Sequence, residues 1–157
     1  RAYIIRTSWL YGYYGNNFVK TMLRLMGEKK VLSVVNDQRG SPTWAFDLSQ
    51  AIASLIESPR EIPFGIYHYS GQGNITWYDF ARLIYRLSMD KGILHNECDI
   101  KACTSAEYPS RVRRPPYSVL DKTKIQHALG IQIPSWEECL SHYLELHLND
   151  KIKGNTL

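Results

Sequence analysis

Three short segments carry the polar and aromatic side chains that could bind a ligand: residues 6–12, 37–43 and 111–116. The first contains Trp9, whose indole could stack on a sugar or nicotinamide ring. The second is rich in hydrogen-bond donors and acceptors, and its glycine and proline fix the backbone. The third holds three arginines, whose planar guanidinium groups suit phosphate or carboxylate. Together they indicate a nucleotide-sugar pocket with an aromatic plate, a polar reader of base or sugar, and a pyrophosphate clamp.

Each segment also has an ordinary structural interpretation. Trp9 could pack beneath the next helix, residues 37–43 could form a simple turn, and residues 111–116 could be a solvated basic loop. The prolines beside the arginines favour a fixed loop, because proline restricts the backbone.

The sequence contains no complete catalytic set. There is no Gly-x-Ser-x-Gly elbow, no Walker A loop, no Gly-x-Gly-x-x-Gly and no Tyr followed four residues later by Lys. Gly12 and Gly15 follow a predicted strand, but the third glycine position holds Phe18. His142 and His147 lack a zinc-binding pattern, and the other histidines are isolated. We therefore predict neither a catalytic residue nor a metal ligand.

Composition narrows the class of protein. The chain has 157 residues, 44% of them apolar and 22% charged, as expected for one folded domain. A net charge of +4 is too small and too scattered to indicate nucleic acid. No apolar run approaches the ~18 residues of a membrane span. Three cysteines without CxxC spacing favour a reduced, cytoplasmic setting over a disulfide framework.

The hydrophobic pattern predicts alternating strands and helices, and therefore an α/β fold. The apolar run at 2–5 predicts a strand buried on both faces of a parallel sheet. Other strands are predicted at 31–35, 65–69 and 99–103, and helices at 17–28, 45–58, 76–89, 122–129 and 135–148. Helix 45–58 is expected to turn Leu48, Ala51, Ile52 and Leu55 inward. Thr76/Asp79 and Ser135/Glu138 have the spacing of capping boxes.

A strand buried on both faces needs neighbours, and nothing in the sequence precedes this one. We therefore expect the chain to be the C-terminal piece of a larger α/β protein. Residues 1–148 form its folded part, with the last strands of a Rossmann-like sheet, and residues 149–157 form a polar, frayed tail.

Six blocks, in order along the chain, resemble the dTDP-4-dehydrorhamnose reductases, which are extended short-chain dehydrogenases. They lie at 6–12 (Arg-Thr-Ser-Trp-Leu-Tyr-Gly), 15–22, 34–43, 65–68, 105–109 and 114–120. The family reduces the C4 keto group of a dTDP-sugar with NADPH or NADH, giving dTDP-L-rhamnose. The resemblance implies the end of a Rossmann-like sheet joined to a small α/β substrate-binding domain. Because the family's glycine-rich and Tyr-x-x-x-Lys motifs lie upstream of these blocks, we expect this chain alone to be inactive.

The resemblance also implies roles for individual residues, with the NADPH or NADH cofactor held mostly by the upstream part. Those near the nicotinamide are Thr7 and Ser8. Those near the dTDP-sugar are Trp9 against the sugar, Asn17 towards the phosphates, Gln38 and Thr43 in the nucleotide pocket, and Arg114 as the pyrophosphate clamp. Arg111 is not assigned, because the family usually has small residues there.

Two classes of function follow. The first is the substrate-binding part of a sugar-nucleotide reductase, with a homodimer as one option for its assembly. The alternative is a non-catalytic relative, such as the regulatory β subunit of methionine adenosyltransferase, which binds a partner protein. The sequence upstream of Arg1 would distinguish them, because only the reductase needs a Tyr-x-x-x-Lys pair and a glycine-rich strand–turn–helix.

Overall fold

A computed structural model describes residues 1–59, 61–108, 112 and 114–152. The elements in these residues are, in chain order, β1 (Tyr3–Arg6), β2 (Leu10–Tyr11), α1 (Phe18–Glu28), β3 (Val31–Val35), β4 (Arg39–Gly40), β5 (Thr43–Trp44), α2 (Ala45–Glu57), β6 (Gly65–His68), β7 (Ile75–Thr76), α3 (Trp77–Asp90), β8 (Asp99–Cys103), α4 (Thr123–Leu129) and α5 (Trp136–Ile152).

The strands pair two by two. β1 pairs with β6, β2 with β5 and β3 with β8, all parallel, whereas β4 pairs antiparallel with β7. Parallel partners with helices between them in sequence are the mark of an α/β fold, so the predicted class is confirmed. Carboxyl ends of parallel strands lie at the same edge, and this brings the loops after β3 and β8 together.

Three helices, α1, α3 and α5, begin at residues whose side chains cap them. Asn17 precedes α1, and its side-chain oxygen accepts the backbone N–H of Lys20 (3.1 Å). Thr76 and Asp79 form the predicted capping box of α3. At the start of α5, the backbone N–H groups of Ser135 and Glu138 each donate to the other's side chain. These caps fix where α1 and α3 enter the region of the site.

Two hydrophobic clusters support this arrangement. The larger joins α1, α3 and α5 around residues such as Met26, Phe80 and Leu140, all with 0% exposure. The smaller packs α2 and α4 against one face of β1 and β6, with Tyr67 and Ile125 at its centre. No helix in the described part of the chain is long and apolar enough to cross a membrane.

The first strand, which we expect to be buried on both faces in a larger protein, is covered on one face only by the residues described. Within the described residues, α2 and α4 cover only the face of β1 and β6 that carries Ile5 and Tyr67. On the opposite face, Ile4 is 53% exposed and Ile66 is 42% exposed. Side chains alternate along a strand, so helices on one side leave every second residue uncovered.

The structure also differs from prediction at Ile52 and at the end of the last helix, and it describes only part of the predicted loop at 108–117. Ile52 is 38% exposed, not inward, because it lies ~100° around the helix from the buried Ala51. The last helix runs to Ile152, into the predicted tail. Within the predicted ordered loop at 108–117, residues 109–111 and 113 lie outside the described residues, and so do 153–157 in the tail.

Candidate functional site

A cavity of about 390 Å³ lies between the carboxyl end of β3 and the first turn of α3. A volume in the range of ~300–1,000 Å³ is typical of small-molecule sites. Its lining is apolar towards the core and polar at the mouth, and consists of Trp9, Leu10, Phe18, Met22, Ser33, Val34, Val35, Gln38, Trp77, Tyr108 and Arg114. The cavity therefore combines aromatic rings, an amide and a guanidinium.

Trp9 packs against other aromatic side chains of the protein, and its contact with a ligand stays a prediction. Its ring lines the cavity and also stacks on Trp77, the first residue of α3, with centroids 3.5 Å apart and planes 10° from parallel. The ring of Phe18, the first residue of α1, also packs against Trp77, with 4.5 Å between the ring centroids. The three rings form an aromatic wall, which suits the apolar face of a sugar.

The polar side of the cavity is built from the loops that follow β3 and β8. The Asp37 carboxylate accepts the Ser105 backbone N–H (2.9 and 3.0 Å) and its hydroxyl (2.6 Å). Gln38 donates from Nε2 to the same hydroxyl oxygen at 2.8 Å. The bonds from Ser105, the hydroxyl's first, lower the pKa of Asp37, so this carboxylate is ionised at neutral pH. Gln38 is thereby held at the cavity.

A second cavity of about 340 Å³ adjoins the first. The two share four lining residues: Val35, Gln38, Tyr108 and Arg114. Arg114 is exposed, so its guanidinium is available to a ligand that extends from one cavity into the other. A planar guanidinium suits an anionic phosphate or carboxylate group.

Four of the predicted site residues are not among those lining either cavity. Thr43 is fully buried, and its hydroxyl donates to the Ser8 carbonyl oxygen at 2.7 Å. The Ser8 hydroxyl donates to the Ser41 carbonyl oxygen (3.2 Å), and Asn17 Nδ2 donates to the Gly12 carbonyl oxygen (2.8 Å). Thr7 is exposed at the carboxyl end of β1. These bonds shape the segment around Trp9, and the ligand contacts of all four stay predictions.

Sequence reasoning did not single out Trp77 or Asp37 as site residues. The capping box at Thr76 was recognisable, but nothing in the sequence indicated that the next residue would face Trp9. Among the described residues, no three His, Cys, Asp or Glu side chains are grouped so that they could hold a metal ion.

The sequence profile of the RmlD substrate-binding domain matches residues 1–148. The chain belongs to this family. The "dTDP-4-dehydrorhamnose reductase" of Aggregatibacter actinomycetemcomitans is 42% identical over 145 residues, which are 90% of this chain and 49% of the relative. The "spore coat polysaccharide biosynthesis protein SpsK" of Bacillus subtilis is 44% identical over 142 residues, 90% of this chain and 46% of that protein.

Solved structures agree with this membership of the RmlD substrate-binding domain family. A dTDP-4-dehydrorhamnose reductase from Bacillus anthracis, in complex with NADP, superposes with a TM-score of 0.81 at 38% identity, covering 92% of this chain and 48% of that one. The chain spans about half the length of the curated relatives it matches. The resemblance to dTDP-4-dehydrorhamnose reductases and the extended short-chain dehydrogenase fold are thus confirmed.

Proposed function

We propose that this chain is the substrate-binding part of an NAD(P)H-dependent dTDP-4-dehydrorhamnose reductase. The complete protein would reduce the C4 keto group of a dTDP-4-dehydro sugar to give dTDP-L-rhamnose. The observation that carries the proposal is the cavity with stacked Trp9 and Trp77 on its wall and Arg114 at its mouth. It supports a ligand with a sugar at one end and a diphosphate nearby.

The polar residues suggest how such a ligand would be oriented. Arg114 would bind the pyrophosphate through its guanidinium, and Trp9 would lie against the sugar. Gln38, fixed by Ser105, would offer its remaining amide hydrogen and carbonyl oxygen to the nucleotide. For Thr43, which is buried, and for Asn17 we propose a supporting role on the nucleotide and phosphate sides, in which their bonds hold the segment around Trp9.

The nicotinamide cofactor fits the edge of the sheet where β1 and β6 end. Arg6 and His68 are register partners there, and the exposed Thr7 follows directly. Nucleotide cofactors bind at the carboxyl ends of parallel strands in α/β folds. We propose that Thr7 and Ser8 lie near the nicotinamide; the cofactor, when bound, supplies the hydride. The rest of the dinucleotide needs a glycine-rich loop that this sequence does not contain.

The relatives from Aggregatibacter actinomycetemcomitans and Bacillus anthracis carry reductase names, which favours the enzyme over the regulatory-subunit alternative. The setting we propose is the cytoplasm, in keeping with three free cysteines. A homodimer is one further prediction for the complete protein.

Two measurements test the proposal. The complete protein should oxidise NADPH when supplied with dTDP-4-dehydro-rhamnose, whereas residues 1–157 alone should not exceed a no-protein control, because a positioned acid and a bound cofactor are both required. Calorimetric titration of the complete protein should show binding of dTDP-rhamnose. A complete protein that binds no dTDP-sugar would disprove the proposal. Reduction by residues 1–157 alone would disprove that the reaction needs the upstream part.

A further inference from the structure

Trp9 has a backbone conformation that is unusual for a bulky residue. Its φ is +48°, in the left-handed region, and it is the one non-glycine residue in the described part of the chain with a positive φ. Such a conformation persists only where the surrounding contacts determine it. The contacts of Trp9 therefore decide where its indole lies within the cavity.

Three neighbours supply those contacts. The Trp9 carbonyl oxygen accepts the backbone N–H of Thr43 at 3.1 Å. Its ring stacks on Trp77 with 3.5 Å between centroids. Gly40 also lies against this ring, because a Cβ added there would come within 2.3 Å of Trp9 Cε2. A side chain at position 40 would have to displace the indole.

The pairing of β4 with β7 brings both Gly40 and Trp77 to the Trp9 ring. In the antiparallel pair of β4 and β7, Gly40 lies opposite Ile75 and Arg39 opposite Thr76. Thr76 then caps α3, and Trp77 follows as its first residue. The strand pair thus sets the distance between Gly40 and the Trp77 indole, and the Trp9 ring lies between them.

We propose that Trp77 is a positioning residue for the sugar-binding wall: it holds the Trp9 indole, while Gly40 leaves the space for it. This inference rests on the proposed function, in which Trp9 lies against the sugar of a dTDP-sugar. Because Trp9 lies between Gly40 and Trp77, it can meet a sugar only with the part of the ring that these two leave free, and a loosened Trp9 should cost sugar affinity. Gln38 and Arg114, proposed for the nucleotide and the pyrophosphate, line the same cavity but belong to other loops, so dTDP binding should be unaffected.

The stack itself can be detected without any ligand. Two indoles this close couple their ultraviolet transitions and give paired circular dichroism bands of opposite sign. In the complete protein, Trp77→Phe and Trp9→Phe should both abolish the pair, whereas Trp44→Phe should retain it, because Trp44 packs against Phe46 and Tyr143. An unchanged pair in Trp77→Phe would overturn the inference.

The functional test compares two ligands on the complete protein by titration calorimetry. Trp77→Ala should weaken binding of dTDP-rhamnose by about three- to tenfold, the size of an aromatic pair, and leave dTDP binding unchanged. Trp77→Phe should recover part of the loss, and Gly40→Ala should show the same selective loss. Tyr78→Ala, the next residue on α3, which lines neither of the two cavities of the site, is the matched control.

The possible results distinguish failure of the positioning role of Trp77 from failure of the proposed function. If Trp77→Ala does not fold, Trp77→Phe and Gly40→Ala decide the question. Unchanged affinity for dTDP-rhamnose, or an equal loss for both ligands, would overturn the positioning role while leaving the reductase proposal intact. A wild-type protein that binds neither ligand would instead overturn the proposed function.

Discussion

Asp37 and Ser105 lie 68 positions apart in sequence, yet the carboxylate of the first accepts both the backbone N–H and the hydroxyl of the second. The two residues follow β3 and β8, which pair in parallel from Val31 and Asp99 to Val35 and Cys103. The bonds therefore link two loops at the edge where the cavity opens. Gln38 joins the same hydroxyl, so the link also orients a cavity residue.

This link should make stability depend on pH in a defined direction. The Ser105 hydroxyl, and then its N–H, lower the pKa of Asp37 in the folded protein. The stabilisation is therefore present above the ordinary carboxyl pKa of ~3.9 and is lost as pH falls through the folded value. Asp37→Asn should destabilise the protein at pH 7, and the difference from wild type should shrink as the pH is lowered.

Urea unfolding of wild type and Asp37→Asn at several pH values measures this difference. Other carboxylates titrate in the same range, but they are common to both proteins and cancel. Asp90→Asn, an exposed carboxylate at the end of α3, serves as the control. A stability difference that stays constant from pH 7 to low pH would contradict the role given to the Asp37 carboxylate.

The larger elements could be predicted from the sequence, because their patterns are local. The strand at 31–35, the apolar face of the first helix and both capping boxes are set by residues within a few positions of each other. The two-residue strands β2, β4, β5 and β7 were missed. A strand of two residues has no periodicity, and its partner lies far away, as Gly40 and Ile75 show.

The site residues also divide into those that the sequence indicates locally and those that depend on a distant contact. Trp9, Gln38 and Arg114 were predicted from residue type and family resemblance, and all three line the cavity. Trp77 was missed because its importance depends on a contact across 68 positions with Trp9. The apolar sequence of the first strand does not show which of its faces the described chain itself covers, and Ile4 is on the uncovered one.

Two buried tyrosines should respond in opposite ways to loss of the hydroxyl. Tyr67 is 2% exposed, and its hydroxyl donates to the Pro63 carbonyl oxygen at 2.6 Å. Tyr11 is 1% exposed, and its hydroxyl has no hydrogen-bond partner among the residues that the structure describes. Tyr67→Phe should lower the free energy of unfolding by about 1 kcal/mol, whereas Tyr11→Phe should leave it unchanged or raise it.

Chemical denaturation of the two variants beside wild type makes each the control of the other, since both remove one oxygen from a buried ring. A Tyr11→Phe variant that is clearly less stable than Tyr67→Phe would show that the Tyr11 hydroxyl is bonded in solution.

The uncovered face of β1 and β6 should cause association of the isolated chain. Ile4 and Ile66 are register partners, 53% and 42% exposed, and lie side by side as a short apolar strip. Contiguous exposed apolar surface and open strand edges promote pairing between molecules. Residues 1–157 should therefore associate with rising concentration, and Ile4→Thr with Ile66→Thr should reduce this while keeping β-branched side chains.

Sedimentation velocity over a range of concentrations follows the association. Ile56→Thr is the control, because this residue is 75% exposed but lies on α2, away from the strip. A wild-type chain that stays monomeric at all concentrations, with a cooperative melt, would contradict this prediction.

Arg114 provides the sharpest test of how the nucleotide is held. Its exposed guanidinium lies at the mouth of both cavities. A hydrogen bond to a charged group contributes about 1.5–3 kcal/mol, or roughly ten- to a hundredfold in affinity. Because solvent screens an exposed arginine, we expect Arg114→Ala in the complete protein to weaken dTDP and dTDP-rhamnose about tenfold, with NADPH binding unchanged.

The alternative is that Arg114 only fixes its loop to the domain, and the two roles give different results. Arg114→Lys should recover part of the affinity in the clamp role, because it keeps the charge but lacks the planar fork. Arg24→Ala, which removes an exposed arginine paired with Glu28 on α1, should leave dTDP binding unchanged. Titration calorimetry beside thermal melts separates the cases: a loop-fixing arginine would lower the melting temperature of Arg114→Ala while the folded protein bound dTDP normally. That result would remove the clamp and weaken the nucleotide-pocket role proposed for Gln38, since both residues border the same two cavities.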